Sequence, residues 1–402
     1  MPAIEIKKGV YWVGAFDWDL RLFEGPIYHT PNGVSYNAYL IIDDEITLVD
    51  SVESRFFGEM LEKIESLVPI SKIDHVIINH VEPDHSGAFP DMMKMMPGAK
   101  IHCTQKAKEA LLKYYYGEEY DYNVVKTGDV LNIGKRNLHF IESRMLHWPD
   151  NMMTFVPEDK LLLSNDAFGQ HLASSHLFDD ENDMEMVMRE AKTYYANILM
   201  PYAPLLTRKI EEIQKMDLDM DMIAPSHGVV FRKDPGRIIE AYLKWAKPEM
   251  KKKAVIIYET MYESTAKMAR AIVEGLSSED IEVKLYKAES SDFTSIFSEI
   301  VDAKALLIGS STFNNGMIPQ ISYFLEEVVA LKPRNKIGAA FGSYGWGKGA
   351  VKKIEARMKE MGADIVEEGL EIQYAPSGDE LKACFEYGKS IGKKIQESCG
   401  NN

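Results

Sequence analysis

Apolar positions in the first 250 residues come in short runs separated by polar turns, the length of strands rather than helices. Val10-Tyr11-Trp12-Val13 reads as one strand. Tyr39-Leu40-Ile41-Ile42 and Ile46-Thr47-Leu48-Val49 form a hairpin around Asp43-Asp44-Glu45. Further strands are His75-Val76-Ile77-Ile78-Asn79, Leu138-His139-Phe140-Ile141, Leu161-Leu162-Leu163-Ser164 and Met222-Ile223-Ala224. Helical spacing is confined to residues 55–67, 105–116, 182–197 and 204–215. Strand runs with helices packed outside predict an αββα sandwich.

After Pro248-Glu249-Met250-Lys251-Lys252-Lys253 the pattern changes. A proline followed by a charge run marks a linker or a solvated strand entry, so the expected domains are residues 1–250 and 251–402. The second alternates strand and helix: strands at 254–258, 281–286, 304–309, 336–341 and 369–373, and helices at 264–276, 319–330, 348–361 and 378–396. That order predicts a doubly wound parallel sheet of flavodoxin length.

Charge separates the halves further. The chain of 402 residues carries a formal −16, which argues against nucleic acid as a partner. Residues 251–402 hold 20 basic and 22 acidic side chains, against 26 and 40 in the first 250. No apolar run of about 18 residues exists, so no membrane span is expected. The start lacks an apolar signal core, and Cys103, Cys384 and Cys399 are scattered and odd in number; both predict a reducing cytoplasm. Without a Cys-x-x-Cys pair there is no rubredoxin-type centre in the chain.

The acidic half also holds the densest chemistry. Residues 80–85 read His80-Val81-Glu82-Pro83-Asp84-His85, directly after an apolar strand. Four potential ligands crowded at a strand end cost stability unless a cation neutralises them. His147, Asp166 and His227 also follow strands, and ligands from successive strand ends converge on one edge of a sandwich. A lone strand-end Asp or His is usually a cap; the run 80–85 is not explained that way. Carboxylates mixed with imidazoles suit iron better than zinc.

This pattern resembles the metallo-β-lactamase superfamily, whose zinc hydrolases use His-x-His-x-Asp-His. Glu82 stands where the second histidine would be, a departure that resembles the flavodiiron proteins. The resemblance implies one iron on His80, Glu82 and His147, another on Asp84, His85 and His227, and Asp166 bridging. In some relatives the histidine matching His85 is turned away. It also implies that His29, His171 and Tyr195 line the substrate pocket. His75, His102, His139 and His176 have no motif around them and read as ordinary histidines.

In the second half three loops follow strand ends: Thr260-Met261-Tyr262-Glu263-Ser264-Thr265, Ser311-Thr312-Phe313-Asn314-Asn315-Gly316 and Ser343-Tyr344-Gly345-Trp346-Gly347. A hydroxyl-rich turn at a helix N-terminus is a phosphate cradle, and the loops surround the switch point where doubly wound sheets bind ligands. Glycines let backbone approach a flat ring, and Tyr344 and Trp346 can pack near it. This half resembles flavodoxins, which implies FMN; Glu263 stands where relatives commonly have glycine. A receiver-like domain without flavin is the bland alternative.

Taken together, the resemblance implies a flavodiiron oxidoreductase with FMN and two non-haem irons, reducing O2 to water or NO to N2O, as in oxygen detoxification by anaerobes. In this family the two sites of one chain are too far apart for rapid electron transfer, which implies a head-to-tail homodimer or a dimer of dimers. The chain looks most like the methanogen members that oxidise reduced coenzyme F-420, an 8-hydroxy-5-deazaflavin. The near-neutral second half, with no evident basic face, favours that donor over acidic rubredoxin. A zinc hydrolase with a flavodoxin appendage and a non-catalytic electron carrier are the competing classes.

Overall fold

A computed structural model of the chain describes residues 2–23, 27–116 and 120–400. It divides into two compact units, Met1–Tyr194 with Tyr202–Ala246, and Tyr195–Pro201 with Lys247–Asn402. The change of unit thus falls after Ala246 rather than after residue 250, and a short segment beginning at Tyr195 groups with the second unit.

The first unit is built on two sheets. One has seven strands in the order Ile4–Lys7, Val10–Trp12, Tyr39–Ile41, Thr47–Val49, His75–Ile78, Lys100–Cys103 and Tyr122–Val124. The other has five: Val130–Asn132, Asn137–Glu142, Met152–Val156, Leu161–Asn165 and Met222–Pro225. Alternation along each strand divides the core in two. Ile77 points with Trp12, Tyr39 and Val49 towards Phe140, Met152, Leu161 and Ala224 of the other sheet. Its neighbours Val76 and Ile78 point the other way, onto helices Phe57–Glu65, Phe89–Met95 and Gln105–Tyr115 through Met60, Ile64, Phe89, Met92 and Leu111. This is the expected αββα sandwich.

In the second unit the parallel strands run Glu282–Lys287, Lys251–Glu259, Ala303–Ser310 and Ile337–Tyr344. Two short pieces, Asp364–Ile365 and Leu370–Gln373, share the last edge by pairing with successive parts of Ile337–Tyr344. The order 2-1-3-4-5 is that of flavodoxin. Helices Pro235–Ala246 in the first unit and Phe293–Ile300 in the second were not expected. In Phe293–Ile300 the apolar Phe293, Ile296, Phe297 and Ile300 do recur at helical spacing, but over only eight residues, too short a run to separate it from a loop by pattern alone.

Helices Ser264–Ser277 and Gly378–Cys399 cross at backbone contact. A Cβ on Gly275 would lie 2.0 Å from the Phe385 carbonyl oxygen, and one on Gly388 2.3 Å from that of Ile272. Alanine ordinarily stabilises a helix relative to glycine. At this crossing it forces the helices apart, so Gly275→Ala is expected to destabilise the second unit by about 1–3 kcal/mol, measured by thermal denaturation.

Candidate metal centre and flavin cradle

Each group of the first site is delivered by the end of a secondary-structure element. His80 follows strand His75–Ile78, and Pro83 starts the short helical turn Pro83–Ser86 that carries Asp84 and His85. Asp166 ends Leu161–Asn165, His227 follows Met222–Pro225, and His147 lies in the loop before Met152–Val156. The seven side chains converge in two groups, His80, Glu82, His147 and Asp166, and Asp84, His85 and His227.

Distances within the groups have the character of a ligand shell. His80 Nε2 is 3.2 Å and His147 Nε2 3.1 Å from Glu82 Oε2. His85 and His227 Nε2 are 3.2 and 3.1 Å from Asp84 Oδ2. Asp166 faces both: Oδ2 is 3.5 and 3.4 Å from His80 and His147, and Oδ1 is 3.0 Å from His85. Yet both oxygens of Asp84, and Oδ2 of Asp166, are buried without a hydrogen-bond partner among the described residues. Donor atoms about 2.1 Å from one ion and at right angles to each other stand about 3 Å apart. The observed spacings therefore fit cations better than a hydrogen-bond network, and the oxygen-rich donor set fits iron.

Electrostatics lead to the same place. Burial pushes His85 down, but Asp84 and Asp166 override it and raise it to about 9. His147 likewise rises to about 9 against its burial, because of Asp166 and Glu82. His80 rises well above its usual range, burial opposing and Asp166 and Asp150 prevailing. Asp166 is held well below the carboxylate range despite complete burial, by His85 and His80. Without metal the cluster binds protons in place of cations.

Other residues fix the ligands from behind. His80 Nδ1 donates to Asp150 Oδ2 at 2.9 Å, and His227 Nδ1 to the Ser35 carbonyl at 2.7 Å. Ser226 Oγ donates to Asp166 Oδ1 at 2.9 Å. The His227–Gly228–Val229 turn is held by Gln170, whose Oε1 accepts from Val229 N at 2.7 Å. Gly228 has φ +78°, and its missing side chain is the space that Gln170 fills. Sequence patterns gave no signal for Asp150, Ser35 or Gln170, because ordinary polar residues acquire such roles only through tertiary placement.

A cage of aromatic rings stands beside the second group. His171 is 4.4 Å from Phe23, 4.8 Å from Tyr28, 4.9 Å from Tyr194 and 5.0 Å from His227, centroid to centroid. Tyr36 contacts His227 at 6.1 Å. Both His171 nitrogens are buried without a partner among the described residues, and burial, aided by His227, pushes its pKa well below the usual range. Two expected pocket residues lie elsewhere. His29 is exposed, because it alternates with buried Tyr28 in the strand Tyr28–His29. Tyr195 starts a π-helical turn that groups with the second unit, while its neighbour Tyr194, about 100° round the helix, reaches His171. His75 and His102 instead form a buried pair at 3.0 Å, tied to Glu45 and Asn123.

At the second site the three loops meet beyond the carboxyl ends of strands 1, 3 and 4 of the parallel sheet. Thr265, Ser311 and Ser343 are buried and bond one another at 2.9–3.1 Å, knitting the strand ends together. These hydroxyls are thus engaged with each other rather than displayed. Phe313 and Gly316 exchange backbone hydrogen bonds of 2.9 and 2.8 Å, with φ of 47° and 57° at Asn314 and Asn315, a primed hairpin turn. Glu263 caps helix Ser264–Ser277 with φ +64° and no side-chain bond to the first turn, so the amides there are free for an anion. Thr260 Oγ1 is buried without a partner among the described residues. Met261, Tyr262, Phe313 and Trp346 are all exposed, Trp346 by 94%. An anion-binding turn with bare aromatics above it fits a phosphorylated planar ring such as FMN. The remaining expected contacts, Thr312, Tyr344, Gly345 and Gly347, lie in the same loops.

Fold and sites define a two-module redox protein. Known families match both modules: "ODP family beta lactamase" over residues 34–228 and flavodoxin over 256–388. A nitric oxide reductase from Moorella thermoacetica is 49% identical over 98% of this chain and 99% of its own length. Rubredoxin oxygen:oxidoreductase from Desulfovibrio gigas superposes with a TM-score of 0.96 at 36% identity, covering 98% of this chain and 99% of that one. The flavodiiron protein of Giardia intestinalis gives 0.95 at 36%, covering 100% and 98%. The chain belongs to the flavodiiron proteins. It is an oxidoreductase whose cofactors are FMN and a diiron centre.

The raised His85 and His147 pKa values contribute stability to the metal-free protein that is complete below about pH 6.5 and lost as pH rises through about 9. Iron-free protein is therefore expected to melt at progressively lower temperature over that window, while iron-loaded protein, whose imidazoles are already deprotonated, is not; calorimetry at both loadings checks it. Glu263→Gly relieves a left-handed residue and is expected to raise stability by about 1 kcal/mol, read by denaturant titration.

Proposed function

We propose that this protein reduces a small uncharged diatomic, nitric oxide or dioxygen, at its diiron site, with electrons entering through FMN. The carrying observation is the buried nest of seven nitrogen and oxygen donors with orphaned carboxylate oxygens. His80, Glu82 and His147 would hold one iron, Asp84, His85 and His227 the other, with Asp166 between them. FMN would lie on residues 260–265, 311–316 and 343–347. When bound, the irons and the flavin supply the electron storage that no side chain offers.

The side chains do the rest. Ser226 and Asp150 fix a carboxylate and an imidazole before substrate arrives. Phe23, Tyr28, Tyr36 and Tyr194 exclude water from the mouth. His171, kept neutral, offers a hydrogen bond to a small guest, and Tyr194, whose hydroxyl burial keeps protonated, offers another. We assign the substrate-facing roles to His171 and Tyr194 rather than to His29 and Tyr195. His171→Phe is expected to lower kcat/KM about 10–100-fold with iron content unchanged, measured by metal analysis beside a gas-consumption assay.

For the donor we adopt a rubredoxin over reduced F-420. The Desulfovibrio gigas relative carries rubredoxin in its name, and the Aeromonas hydrophila relative, 42% identical over 98% of this chain, is a flavorubredoxin. A groove lined by Lys267, Arg270, Lys382 and Phe385, with Glu274, flanks the cradle helix and offers a carrier charge of both signs, since Arg270 and Lys382 lie 3.5 and 3.3 Å from Glu263 and Asp379. Exposed Tyr262 and Trp346 support a homodimer that covers them. Two irons and one FMN per chain, with anaerobic bleaching of the flavin by rubredoxin and nitric oxide or oxygen consumption, are the expected results. Bleaching by reduced F-420 alone reverses the donor assignment, and zinc without iron removes the reductase.

A further inference from the structure

Three of the histidines show how differently their outer nitrogens are supported. His80 Nδ1 is backed by a carboxylate, Asp150, at 2.9 Å. His227 Nδ1 is backed by a main-chain carbonyl, that of Ser35, at 2.7 Å. His85 Nδ1 is buried and has no partner among the described residues. The carboxylate serves His80 in the His80–Glu82–His147 group, and the weaker arrangements serve both histidines of the Asp84–His85–His227 group.

Asp150 is 2% exposed. Its Oδ2 also accepts from Val81 N at 2.9 Å, and its carbonyl accepts the Thr104 hydroxyl at 3.0 Å. Among the described residues its ion-pair partner is His80, with no lysine or arginine against it. A buried carboxylate costs several kcal/mol unless a positive charge answers it. Here the answering charge must come through the His80 ring, from whatever sits on Nε2. A carboxylate on the far nitrogen also fixes the ring orientation and makes the ligand more basic, more so than a neutral carbonyl.

We propose that Asp150 is a positioning residue that makes the His80–Glu82–His147 half of the centre the tighter and first-filled iron site, leaving the Asp84–His85–His227 half second and more easily emptied. The proposal rests on the diiron reading above.

The full-length apoprotein, titrated with Fe(II) under argon against a competing chelator, tests it. Two steps of unequal affinity are expected in the unmodified chain. Because one oxygen of Asp150 accepts both the His80 and Val81 bonds, Asp150→Asn keeps the acceptor and removes only the charge. It is expected to weaken the tight step 10–100-fold, leave the weak step in place, and change the Mössbauer spectrum of the first iron alone. Should that variant not fold, the ligands report the order themselves: His227→Ala keeps the tight step and His80→Ala loses it. A single undivided step, equal weakening of both steps, no weakening, or the reverse order in the ligand variants overturns the proposal. Failure of the unmodified chain to bind iron at all would instead overturn the diiron reading.

Discussion

Three carboxylates and four imidazoles, all but the partly exposed Glu82 buried, crowd the edge of one sandwich with no lysine or arginine paired to them among the described residues. Isolated charges at such a depth are unaffordable, so much of the first unit is organised around cations it must acquire. The two sheets bring strand ends to one edge, and a proline-started turn between Glu82 and His85 sets Asp84 and His85 on their side of it. Asn37 holds the loop after Met222–Pro225 by bonding the Pro225 and Gly228 carbonyls at 2.9 and 3.0 Å. That loop carries His227. Fold and chemistry are thus the same constraint seen at two scales.

The second unit solves a different problem. Its ligand is large, neutral over most of its surface and anionic at one end, so the site needs backbone rather than charge. Three hydroxyls lock the strand ends, a two-asparagine turn lies beside them, and a helix start without a side-chain cap leaves amides open to an anion. Glu263 keeps a left-handed conformation that glycine adopts without strain, and Arg270 sits 3.5 Å from its carboxylate.

Much of this was legible in the chain because each feature had a local signature. Residues 80–85 state their purpose in six letters, and alternating strands and helices declare the parallel sheet. What could not be read was direction. Whether Tyr28 or His29, Tyr194 or Tyr195, faces the pocket depends on the phase of a two-residue strand and on where a helix loosens into a wider turn. One residue of slip exchanges inside for outside. The supports at Asp150, Ser35 and Gln170 join positions 57 to 192 residues apart, and no window along the chain contains both partners.

The cage around His171 sorts molecules by what they must leave behind. A hydrated anion such as nitrite would surrender its water shell to enter between Phe23, Tyr28 and Tyr194, and would find only an uncharged imidazole and a neutral phenol in return. A sparingly soluble gas surrenders almost nothing. Partition between solvent and this cage therefore favours gases over the oxyanions that accompany them in the cell, before any bond to metal is made.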